Sequence, residues 1–168
     1  QILNIIDTVN TTPLTVATGS EQVVKILEQN RIQEYSDYWG ADFDQDLLST
    51  ENVRDILQDM ASQTGKVSAV VYINAYPDQL QVILFTQDGQ PIIKTVPGIN
   101  RAQLKAISEE LMIEITNPRR RESTNYLAPA QKLYQLLIAP ISDELEAANI
   151  DTILFSMDVG FRLLPLAV

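Results

Sequence analysis

The chain has 168 residues, with no histidine, no cysteine, 45% apolar residues and a formal net charge of −10 at a sequence pI of about 4.3. That length fits about one domain, and that apolar fraction suits a buried core rather than a disordered chain. The charge repels phosphate backbones and anionic bilayers, which argues against nucleic acid and membrane as partners, and the missing imidazole and thiol exclude Cys/His zinc sites, disulfides, thiolate nucleophiles and His-dependent triads.

Residues 1–19 are rich in Thr and Asn and carry Pro13 and Gly19. They read as a linker or the end of an upstream domain, with two short β-like pieces, "LNIIDTV" and "PLTVAT". The start has no Met and no basic stretch before its apolar residues, unlike a signal peptide, and suggests a longer parent. No apolar run reaches the ~20 residues of a membrane span.

Residues 20–64 read as a helical lead-in. Ser20 suits an N-cap, and Val23, Val24, Leu27, Arg31, Tyr35 and Tyr38 recur at helical spacing until Gly40. "ADFDQDLLST" follows as an acidic loop. A second helix, capped by Thr50, carries Val53, Ile56, Leu57, Met60 and Ala61 on one stripe, and Gly65 stops it.

From residue 65 the period becomes that of strands. "KVSAVVYINAY", "LQVILFTQ" and "QPIIKTVPG" form a three-stranded antiparallel meander, with Asp88 and Gly89 as a hairpin signal. Asn100 caps a helix with Leu104, Ile107, Leu111 and Ile115 on one face. "NPRRREST" is a polar, exposed connection. A long helical pattern then carries Ala130, Leu133, Tyr134, Leu137, Ile141 and Leu145, and Pro140 should kink or split it. "IDTILFS" is apolar on both parities, as a strand covered on both faces of a parallel sheet would be. The fold class is therefore α/β: a helical lead-in, a meander, two helices and then a buried strand.

Four stretches carry possible chemistry. In "MDVGFRLLP", Asp158 could orient a loop at the end of a parallel strand, with Gly160 supplying a turn; a plain strand-to-strand turn explains the same residues. Arg119, Arg120 and Arg121 could hold an anion or acidic partner, but three charges in an acidic chain are better explained as a solvated loop. Asp42, Asp44 and Asp46 imitate the start of a calcium loop, yet Leu47 replaces its glycine and Val53 its final carboxylate. Tyr35, Tyr38 and Trp39 could anchor a partner, though such aromatics more often pack a helix end onto its own domain. No glycine-rich phosphate loop and no S-x-x-K pair occur, and no cofactor is implied.

From about Gly65 onward the motif order resembles the N-terminal half of a CHAT domain, the bacterial caspase-like domain often associated with tetratricopeptide repeats. The matching pieces are the meander, the helix motif L-Y-x-L-L-I-x-P at Leu133, Tyr134, Leu136, Leu137, Ile138 and Pro140, and the following strand. The family's strand ends in P-D-G-x-L-x-x-L-P, matched by Asp158, Gly160, Leu164 and Pro165 with one residue between Asp and Gly. Met157 stands where the family has Pro, and Phe161 and Arg162 fit more loosely.

The resemblance implies a helical lead-in at 20–64 and the N-terminal part of a CHAT domain, the front of an incomplete caspase-like sheet, at 65–168, after the linker or upstream-domain end at 1–19. It implies a parent cysteine peptidase whose Cys nucleophile and His base lie on later strands, so that no residue here is catalytic. The partner it implies is the remainder of the CHAT domain. An adaptor that uses the same fold to bind a protein partner is the alternative, and a complete small α+β binding domain is a third reading. Some relatives are surface proteins, so cytoplasmic and extracytoplasmic locations both stay open.

Overall fold

A computed structural model of the chain describes Leu14 and residues 22–29, 50–120, 123–157, 161 and 164. The elements in chain order are α1 (residues 22–29), α2 (Thr50–Thr64), β1 (Ser68–Ala75), β2 (Gln79–Phe85), β3 (Ile92–Pro97), α3 (Arg101–Thr116), α4 (Leu127–Leu137), α5 (Ser142–Ala147) and β4 (Thr152–Met157). The four strands form one mixed sheet in the order β3-β2-β1-β4. β2 runs antiparallel to both β1 and β3, whereas β4 runs parallel to β1, from Ser68 opposite Thr152 to Ile73 opposite Met157. Parallel neighbours need a crossover, and α3, α4 and α5 supply it.

Strand alternation decides what each face of the sheet meets. Ala69, Val71, Ile73 and Ala75 of β1 and Leu80, Val82 and Leu84 of β2 enter one core with Leu104, Ile107 and Leu111 of α3 and Leu133, Leu136 and Leu137 of α4. The intervening residues Tyr72, Ile83 and Phe85 enter a second core with Val23, Val24 and Leu27 of α1 and Val53 and Leu57 of α2. The sheet is therefore covered by helices on both faces. Burying one such Leu or Ile side chain stabilises the fold by about 1.5–3 kcal/mol, which makes the two cores the dominant favourable contribution. Tyr72 and Phe85 meet edge to face at 5.4 Å, and the Tyr72 hydroxyl donates to Glu28 Oε1 at 2.7 Å, tying β1 to α1.

Local chemistry sets the element ends. Gly65 closes α2 at a φ of 68°, its N–H donating to the Ala61 carbonyl at 2.9 Å, in a conformation a Cβ would strain. Asn100 begins α3 with a capping box: Gln103 N–H donates to Asn100 Oδ1 at 2.9 Å, and Asn100 N–H donates to Gln103 Oε1 at 3.0 Å. The predicted break at Pro140 is present as a 3-10 turn, Ala139–Ile141, between α4 and α5. α5 ends with Asn149 at a φ of 50°, where Asn149 N–H donates to Glu146 and Ile150 N–H to Leu145, the paired bonds of a Schellman motif. Asp151 then aligns β4. Its N–H donates to the Val67 carbonyl at 2.8 Å, and its Oδ2 accepts from Val67 N–H at 2.9 Å. Across the first face, Lys94 of β3 pairs with Glu144 of α5, and this hydrogen bond holds the Glu144 carboxyl below its ordinary range.

Three expectations change in detail. The β2–β3 hairpin forms, but residues 86–91 connect it, so Asp88 and Gly89 belong to a wider loop and not to a two-residue turn. That loop is held from outside, with Arg54 of α2 donating to the Gly89 carbonyl and Gln58 to that of Gln87. Ile56, Ile115 and Tyr134 lie on their predicted helical stripes yet are exposed, because each stripe is wider than the sheet surface it covers. β4 is parallel as predicted, but it is not covered on both faces. Ile153 and Phe155 pack on the α3–α4 core, whereas Leu154 on the opposite face is 40% exposed.

Candidate functional site

The parallel pair β1 and β4 directs two strand ends to the same edge of the sheet, next to the antiparallel β2. α/β folds place ligand sites at such carboxyl ends. β4 reaches this edge with Met157, which is buried, and the chain returns to the α3–α4 core at Phe161. Leu164 packs against the same core, and its N–H donates to the Phe161 carbonyl at 3.1 Å. Phe161, a loose fit to the motif, is thus a core residue at 2% exposure. Asp158, Gly160 and Pro165 lie outside the described residues, as do Asp42, Asp44, Asp46, Tyr35, Tyr38, Trp39 and Arg121.

Ser108, buried in α3, donates to the Leu104 carbonyl one turn back, which occupies its hydroxyl with local backbone. Among the described residues no cluster of three or more metal-ligating side chains occurs, and no helix is long and apolar enough to cross a membrane.

Arg119 sits in the 3-10 turn Pro118–Arg120 between α3 and α4, exposed, with its N–H donating to Asn117 Oδ1 at 3.0 Å. Among the described residues no ion pair forms with Arg119. Limited trypsin is expected to cut first within the run Arg119–Arg121, which begins in this exposed turn. Mass spectrometry of the first fragments checks this; initial cleavage at Lys66 or Lys94 with this turn intact contradicts it.

A second polar feature escaped the sequence reading. Gln81 of β2 is 1% exposed and shares a sheet face with Ile83 and Phe85. Its neighbour across β1, Asn74, is also buried. The Gln81 carboxamide bonds the backbone of Leu14, which is itself buried. The signal was present, since a Gln within "LQVILF" falls on a parity that is otherwise apolar. No known protein family matches the chain, and no curated protein and no solved structure matches it significantly.

Proposed function

We propose that this chain is the non-catalytic N-terminal portion of a CHAT-family, caspase-like cysteine peptidase, and that it supplies the scaffold on which the peptidase core is built. The motif order from the meander to Pro165 supports the reading. The observation that carries it is the parallel pairing of β4 with β1 after a helical crossover, with the meander on the other side of β1. Such an arrangement provides a mixed platform: an antiparallel flank that stabilises, and a parallel flank whose carboxyl edge suits a site. Asp158 and Gly160 follow β4 in the sequence and match the family motif.

The chemistry itself needs a thiolate to attack a carbonyl and an imidazole to manage the proton. The chain has neither group. Its part is to hold the first strands in register.

The test compares peptidase activity of the 168 residues with that of the gene product including everything encoded after Val168. The short chain is expected to be inactive. The longer product is expected to cleave peptides and to lose that activity when its candidate cysteine is replaced by alanine. A longer product that cleaves nothing and carries no reactive thiol overturns the peptidase reading. Cleavage by the short chain that a point substitution within it abolishes overturns the scaffold reading.

A further inference from the structure

The Gln81 carboxamide makes both of its short hydrogen bonds to one residue 67 positions away: Nε2 donates to the Leu14 carbonyl at 2.8 Å, and Leu14 N–H donates to Oε1 at 3.1 Å. A backbone residue that exchanges its N–H and C=O with one partner is what a strand pair makes. Here a side chain takes the place of the neighbouring strand. We propose that Gln81 is a dedicated backbone receptor that anchors this chain at Leu14, on the sheet face covered by α1 and α2.

Three observations carry this. Gln81 is 1% exposed on an inner strand, where an amide without partners is costly and an apolar residue would pack more simply. With Leu14 withdrawn, the described partners of the carboxamide reduce to Thr95 Oγ1 at 3.5 Å, so the site is satisfied by Leu14 and by little else. The Leu14 side chain is 6% exposed and joins the core of Val23, Val24, Leu27, Val53 and Leu57, so one residue is held by its backbone and its side chain together. Because the carboxamide reads only backbone, it does not select the residue at position 14. The surrounding core does, by requiring an apolar side chain.

Amide hydrogen exchange on the whole chain tests the proposal. In the unaltered protein the Leu14 amide is expected to exchange at least about tenfold more slowly than in an unstructured peptide, as one native hydrogen bond allows. Gln81→Met keeps the length of the side chain and removes both bonding groups. It is expected to abolish protection at Leu14 while the amides of β1 and β2 stay protected. Leu14→Met, which keeps the backbone bonds, is expected to retain the protection at position 14. Exchange of Leu14 at the free-peptide rate in the unaltered chain overturns the proposal, whether or not the Gln81 variant folds. So does retained protection at Leu14 in Gln81→Met, or loss of protection in β1 and β2 equal to that at Leu14, because Gln81 would then be an ordinary packing residue.

Discussion

Leu137→Ala is expected to destabilise the chain by about 2–5 kcal/mol. Leu137 is fully buried at the last position of α4 and sits in the core formed with β1, β2 and α3. It lies immediately before the turn at Pro140, whose fixed backbone limits how far α4 can settle into the space a shortened side chain leaves. Removing the side chain loses its transfer free energy and leaves a cavity that close-packed surroundings fill only partly. Tyr134 is the internal control. It lies three residues earlier on the same predicted stripe but is 55% exposed. Tyr134→Ala is expected to change stability by about 0.5 kcal/mol or less. Urea unfolding, read from the midpoint at constant slope, separates the two. Equal losses in both variants would show that α4 is rotated about its axis relative to the sheet.

Adjacent residues of β4 are expected to answer oppositely to lysine. Ile153 packs on the α3–α4 core, so Ile153→Lys brings an ammonium against apolar side chains and is expected to cost about 2–4 kcal/mol. Leu154 faces the other way and is 40% exposed, so Leu154→Lys is expected to be nearly neutral for folding. The same exposed leucine lies on the outer strand of the described sheet, in the uncharged stretch Thr152–Met157. Apolar, uncharged edges promote association. The unaltered chain is therefore expected to self-associate at high concentration in sedimentation, and Leu154→Lys to reduce that association. Because side chains alternate, a one-residue slip of β4 would exchange the two results. A stable Ile153→Lys together with an unfolded Leu154→Lys would contradict the register of Ile153 opposite Ala69.

The elements were legible wherever a single local cause fixes them. The Asn100 cap, the Gly65 stop and the break at Pro140 each act within one helical turn, and the sequence displays them directly. The meander was legible because three β-rich runs separated by short polar stretches leave few other pairings. Which apolar residues stay outside was not legible. Tyr134 and Ile56 satisfy the helical period, but exposure depends on the width of the surface opposite, which no local pattern encodes. The Gln81–Leu14 contact spans both leading helices and β1, so its recognition needed the fold, although the parity of Gln81 already marked it as unusual. Asp158, Gly160 and Pro165 rest on the resemblance alone, since they lie outside the described residues.

The proposed scaffold role makes a demand on the outer edge of β4. In a caspase-like sheet that edge must receive further strands, and the ends of those strands must bring a histidine and a cysteine together at the carboxyl side of β1 and β4. The most direct measurement is an experimental structure of the gene product with everything encoded after Val168. The account predicts added strands alongside β4 and a His–Cys pair near the carboxyl ends of β1 and β4. A gene that ends at Val168, or a structure in which β4 stays the outer strand and no such pair forms, contradicts it.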